Sequence, residues 1–402
     1  IMVVSAFAAL ISSGGAPRAS IAMGEGSTET AERILGGCFT TQVVVSAVLT
    51  AVLLLWNRDF LMAFGCSGNT IEYAVSYMNI YAAGTLFVQL TLGMNAFITA
   101  QGFARTGMAT VLIGAVCNII LDPVLIFGLH MGVSGAALAT ILSQGVSCVW
   151  VIGFLCGKKS KLRLKKRCLR IDPGIVLPCV SLGAATFIMQ ASESVISVCF
   201  NTSLLRYGED IAVGAMTILT SVMQFSMLPL HGIGQGAQPI ISYNFGARNA
   251  DRVRRAYTLL LMSCLACSVA TWGAIMLFPR FFARIFITNI AWLDFTAAAL
   301  RIYCAVNFLM GVQIACQMAF VSLGNAPCSI LVAVVRKFVL LIPLIYIMPH
   351  LFEDKVRAIY MAEPIADTLA VTFTVILFAV QFRKAVRQLD GASQNNYQRR
   401  HG

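Results

Sequence analysis

The chain has 402 residues, of which 58% are hydrophobic and only 11% charged, with a net charge of +12 and a mean hydropathy of +0.81. A soluble domain carries roughly 25% charged residues, so a water-soluble fold is excluded. Segments crossing lipid must satisfy their own backbone groups, which leaves helices or closed barrels. The apolar runs here lack strict alternation and are about 20 residues long, so the expected fold is an all-α, polytopic membrane protein.

In chain order, apolar segments fall near 1–22, 38–56, 73–99, 108–129 and 134–156, then 174–200, 211–243, 256–286, 296–323, 327–350 and 358–382, eleven expected helices. The segments 73–99 and 211–243 exceed the thickness of a bilayer core, and Gly232, Gly234, Gly236 and Pro239 are expected to break or bend the second. No basic leader with a cleavage site precedes the first run, and no signal peptide is read. The stretch 157–172 is the longest polar interruption and divides the chain into a first lobe, 1–156, and a second, 173–382. The tail 383–402 is polar and expected to be disordered from Gly391.

Most of the 29 Lys and Arg lie in 157–172, in 244–255 and after 382, while the alternate loops hold only Arg58, Arg206, Arg280, Arg284, Lys355 and Arg357. The basic loops and the C-terminus are therefore expected on the cytoplasmic side of the cell's inner (plasma) membrane. The positive charge then reports topology and contact with anionic lipid headgroups rather than nucleic-acid binding. The thirteen cysteines lie mostly inside apolar runs and read as small core residues, the Cys264-x-x-Cys267 spacing included.

The two blocks repeat. A shift of 222 residues lays Gly14 on Gly236, Pro17 on Pro239, Ser20 on Ser242, Gly24 on Gly246, Arg33 on Arg255 and Gly102 on Gly324, and at 220 Pro123 meets Pro343. Glycines and prolines coinciding at one offset indicate a duplication. The segment 174–200 has no partner in the first block, so a further helix is expected before Ile1. Six helices per block return the chain to one side, which makes the repeats parallel.

The stretch Asn118-Ile119-Ile120-Leu121-Asp122-Pro123, then Gly132-Val133-Ser134-Gly135-Ala136-Ala137-Leu138-Ala139-Thr140, resembles the multidrug and toxic compound extrusion family. So does Gly234-Gln235-Gly236-Ala237-Gln238-Pro239 leading to Asn244-Phe245-Gly246-Ala247. Within that family the chain is similar to the bacterial DinF-type branch. The resemblance implies two six-helix lobes forming a V, and export of small organic cations in exchange for protons or sodium; a monomer is expected.

Of the 17 acidic residues only Asp122, Glu193, Glu363 and Asp367 fall well inside expected helices, where a charge costs on the order of 2.5–3.5 kcal/mol and calls for a partner or a task. Asn118 and Asp122 stand four apart, so one helix face offers an amide oxygen and a carboxylate to one small cation, with Thr140 on the next helix adding a hydroxyl. The alternative is a purely structural Asp122-Pro123 bend. The resemblance implies a cation site at these three positions, completed by an aspartate on the helix expected before Ile1. In the second lobe Glu193 with Gln190 is either a coupling carboxylate or an interhelical polar contact. Glu363 and Asp367 are expected near the outer interface, with Arg336 and Lys337 pairing with them or snorkelling to the inner one.

Met189, Met223, Met227, Met310 and Met318 suit a soft drug cavity and suit packing equally. No nucleotide loop, catalytic triad or metal cluster is read, so an ion gradient and no cofactor is the expected energy source. The rival transport function is a flippase for lipid-linked sugars, which calls for more buried arginines than Arg18, Arg301, Arg336 and Lys337 supply. A membrane-embedded enzyme calls for paired catalytic groups at the membrane face.

Overall fold

The computed structural model describes residues 2–63, 71–287 and 290–401. The helices in order are α1 (Met2–Gly24) and α2 (Thr28–Ala63); α3 (Ile71–Ala83) and α4 (Thr85–Ala100), bent by 55°; α5 (Ala104–Gly128), α6 (Gly132–Cys156), α7 (Pro173–Gly208), α8 (Ile211–Gly246) and α9 (Ala250–Leu277). Then come the short α10 (Pro279–Arg284), α11 (Ile290–Tyr303) and α12 (Met310–Ser322), the last two bent by 45°, and α13 (Ala326–Leu351) and α14 (Lys355–Leu389). Eight of these are long and apolar enough to cross a membrane, and the two bent pairs bring that number to ten. Each of the eleven apolar segments lies on one of these helices, α1 being a 23-residue helix outside the ten.

The expected break in α8 does not occur. Helical structure runs unbroken through Gly232, Gly234, Gly236 and Pro239, since glycines lower helix propensity without removing hydrogen bonds and Pro239 removes only one. The breaks fall instead at Gly84 and between Tyr303 and Met310. A β-carbon at Gly84 would run into the Ile141 side chain, so glycine there lets α6 approach the bend. Beyond Leu389 the last helix continues to His401 in place of the expected disordered tail.

The chain forms two compact units, Ile1–Phe187 and Ile188–Gly402. In the first, Ile11, Leu35, Met94, Phe97 and Leu155 make the core, joined by Cys179 from the start of α7. Gly14 lies so close to the Cys179 carbonyl, and Gly183 to the Leu10 carbonyl, that a β-carbon on either would collide with backbone. Small residues allowing such approach are how membrane helices associate, and this seam carries residues 173–187 into the first unit. The second unit is built around Phe200, Leu204, Leu219, Leu300, Ile345 and Ile359; Met310 and Phe320 are core residues there.

The basic stretch 157–172 is held down along its length. Leu162 is buried in the core of the first unit, its N–H and the Ser160 hydroxyl both donate to Gln101 Oε1 at 2.9 Å, and Thr40 Oγ1 donates to the Leu169 carbonyl at 2.6 Å. Lys165 pairs with the buried Glu32 at 2.6 Å.

The duplication is legible in the boundaries. Offset by 222, the end of α1 meets the end of α8, the start of α2 the start of α9, the end of α4 the end of α12, and the start of α5 the start of α13. Gly102 and Gly324, just past α4 and α12, both take positive φ, 91° and 72°, as helix-terminating glycines do. Even a hydrogen bond repeats: Ser20 Oγ donates to the Ala100 carbonyl at 3.1 Å, and Ser242 Oγ to the Ser322 carbonyl at 2.9 Å.

Candidate functional site

In the first unit Asn118 and Asp122 lie on α5 and Thr140 on α6, which pack on each other. Ser147 Oγ on α6 donates to the Thr110 carbonyl on α5 at 3.1 Å, and Gly135 lies against the Leu125 carbonyl. These contacts fix an antiparallel register that sets Thr140 level with the stretch between Asn118 and Asp122. Thr140 Oγ1 donates to the Ala136 carbonyl at 2.9 Å, which leaves its lone pairs free to accept or to ligate. Asn118 Nδ2 is buried without a partner among the described residues. Asp122 is partly buried, and among the described residues the ion pairs with a buried member are Lys165–Glu32, Arg336–Glu363, Arg336–Asp367 and Lys337–Glu193, so no countercharge is assigned to it.

The backbone around Asp122 is not regular. Pro123 lies inside the helix, where it supplies no N–H to the carbonyl four residues earlier, and a π-helical turn follows over Val124–Gly128. Such turns concentrate at functional positions and let a helix repack at modest cost.

The second unit holds a buried ionic group. Glu363 and Asp367 are 2% and 3% exposed, beside Arg336 at 7% and Lys337 at 5%. Arg336 Nε donates to Asp367 Oδ1 at 2.8 Å, and its Nη2 lies 3.7 Å from Glu363 Oε1. Lys337 pairs with Glu193 at 2.9 Å, the Glu193 side chain being half exposed. Gln190, exposed one turn earlier on α7, takes no part in that pair. Arg336 and Lys337 are adjacent yet both buried, on a π-helical stretch, Val335–Leu341. The four acidic residues were singled out from their positions in apolar runs; of the two alternatives for Arg336, pairing and snorkelling, the structure has pairing, whereas the Lys337–Glu193 pair was not read from the sequence.

Comparison with known proteins identifies the chain. Residues 1–124 and 185–347 match the MatE family. The multidrug export protein MepA of Staphylococcus haemolyticus is 23% identical over 92% of this chain and 81% of its own length. Among solved structures, a MATE protein in the bent conformation superposes with a TM-score of 0.91 at 20% identity, covering 97% of this chain and 86% of that one. The MATE multidrug transporter DinF-BH superposes with a TM-score of 0.87 at 32% identity over 94% and 84% of the two chains. The chain thus belongs to the MatE family of multidrug and toxic compound extrusion transporters, and is a multi-pass membrane efflux transporter rather than an enzyme.

Proposed function

We propose that this transporter exports small organic cations in exchange for a proton or a sodium ion, and that Asp122, with Asn118 and Thr140, is the ion-coupling site of the first lobe. The observation that carries the reading is a carboxylate on a membrane helix with no countercharge among the described residues, one turn from Asn118 and level with Thr140. A charge so placed is retained at a cost only where it does something. The multidrug transport named for two relatives, MepA and DinF-BH, supports small organic molecules as the cargo, and a bare carboxylate favours those that carry positive charge.

Exchange requires that ion and drug prefer different conformations, because a ligand bound equally by both states shifts neither. Binding a proton or sodium at Asp122 neutralises its charge, and the interrupted hydrogen bonding at Pro123 and the π turn lets the surrounding helices repack. That repacking weakens the hold on a cationic drug. The lobes carry this out from the cell's inner (plasma) membrane, with the basic stretch 157–172 and the C-terminus cytoplasmic.

The test is efflux from liposomes under a pH gradient and, separately, under a sodium gradient. Asp122→Asn is expected to abolish gradient-driven efflux while leaving the protein inserted, and Thr140→Ala to weaken it less. Wild-type efflux by Asp122→Asn under both gradients would make Asp122 structural.

A further inference from the structure

The ionic group of the second unit has a charge imbalance. Arg336 and Lys337 bring two positive charges; Glu193, Glu363 and Asp367 bring three negative ones. Lys337 is engaged by Glu193 at 2.9 Å and Arg336 is hydrogen-bonded to Asp367 at 2.8 Å. Glu363 is left with a 3.7 Å approach to Arg336 through Oε1, and its Oε2 is buried with no hydrogen-bond partner among the described residues. The other titratable groups facing it are Tyr303 and Cys304 at the end of α11, which bring no positive charge.

The duplication gives this position a meaning. Thr140 stands eight residues from the start of α6 and Glu363 eight residues from the start of α14, the closing helices of the two repeats. Each is packed on the repeat's preceding helix, α5 or α13, and each of those carries a π-helical stretch. A proline, Pro364, follows Glu363 inside α14 as Pro123 follows Asp122 inside α5. Counted from the helix starts, the first unit holds a neutral hydroxyl where the second holds a carboxylate with one unpartnered oxygen.

We propose that Glu363 is a proton-binding site of the second unit, loaded and unloaded through its unpartnered Oε2, and distinct from the ion site at Asp122. The ligand is a proton rather than a metal cation. A hard cation needs several oxygen ligands around it, whereas Glu363 Oε2 has no hydrogen-bond partner among the described residues and the nearest carboxylate, Asp367, is already hydrogen-bonded to Arg336. A proton needs only a single lone pair, and taking it brings the group to two charges of each sign. In the protonated form Oε2–H is a donor in search of an acceptor, so loading changes what the α13–α14 contact requires, at a point where both helices have interrupted hydrogen-bond ladders.

The experiment is infrared difference spectroscopy on the purified, reconstituted protein between alkaline and acid buffer, in H2O and D2O, with potentiometric proton counting on the same samples. The wild type is expected to show a protonated-carboxyl band that appears on acidification and is lost in Glu363→Gln, with proton uptake falling by about one per chain. Asp122→Asn is expected to keep that band, Glu193→Gln, which leaves two charges of each sign, to move its appearance to lower pH, and Glu363→Asp, which retains a carboxyl, to restore one at a shifted frequency. Gln copies the shape of the protonated acid, so loss of the band in a protein that remains folded and inserted reports the site itself. A band undiminished in Glu363→Gln overturns the proposal, as does a sodium-induced signal at constant pH that Glu363→Gln removes. Loss of the band in Asp122→Asn instead would move the proton to the first unit, overturning this proposal while leaving the coupling role of Asp122 intact.

Discussion

Arg336 neutralises two carboxylates with one guanidinium, and the consequences of losing it differ from those of losing its neighbour. Arg336→Leu takes from Glu363 and Asp367 the cation at ion-pair distance from both, and breaking a buried pair from one side costs about 3–5 kcal/mol. Lys337→Leu strands only Glu193, which is half exposed and regains water, so about 1 kcal/mol is expected. Denaturant or thermal unfolding in detergent measures both; equal losses would mean that the two carboxylates on α14 do not depend on Arg336. The sequence singled out all four intramembrane acids because a charge in an apolar run stands out against its surroundings. It could not choose between pairing and snorkelling for Arg336 and Lys337, since that depends on how α13 and α14 are rotated about their axes, and a π turn that buries two adjacent residues defeats the regular 3.6-residue pattern.

Among the elements, the eleven apolar runs coincide with helices because lipid leaves the backbone no other solution for a run of that length. What the runs did not reveal is where helices bend and where loops dock. Gly232, Gly234 and Gly236 looked like a break and are not, whereas Gly84, in a run with fewer glycines, is where α3 and α4 part. The stretch 157–172 read as a polar divider between two blocks; its tethers are single residues, Leu162, Thr40 and Glu32, whose roles no composition reveals.

The repeat itself separates local need from packing. Gly102 and Gly324 have positive φ and open space around the missing side chain in the case of Gly102, so Gly102→Ala is expected to cost about 1 kcal/mol from backbone strain alone. Gly14 and Gly236 also correspond, yet a β-carbon at Gly14 meets the Cys179 backbone while one at Gly236 meets nothing within 4 Å. Gly14→Ala is expected to destabilise by about 1–3 kcal/mol and Gly236→Ala to be neutral or slightly stabilising. Equal effects at the two positions in an unfolding series would mean that the α1–α7 seam is looser than the structure has it.

For the whole molecule the charge asymmetry makes a topological demand that the observed helices can meet. Two spans, α7 and α8, separate the loop 157–172 from the loop after Gly246, and four more, α9, the α11–α12 pair, α13 and α14, separate that loop from the C-terminus. Both numbers are even, so all three basic segments share one side of the membrane, and the alternate loops with Arg206, Arg280, Arg284, Lys355 and Arg357 share the other. Basic residues near short loops are held on the cytoplasmic side, where anionic lipid adds roughly 1 kcal/mol of attraction for each. Single cysteines at the exposed positions Lys159, Arg252 and Arg284 test the demand, in a background where the exposed Cys156 is replaced by serine. A membrane-impermeant maleimide applied to intact cells is expected to label Arg284→Cys and to leave Lys159→Cys and Arg252→Cys unlabelled until the membrane is opened. Labelling of Lys159→Cys in intact cells would invert the protein, and labelling of only one of Lys159→Cys and Arg252→Cys would mean that α7 and α8 do not both cross.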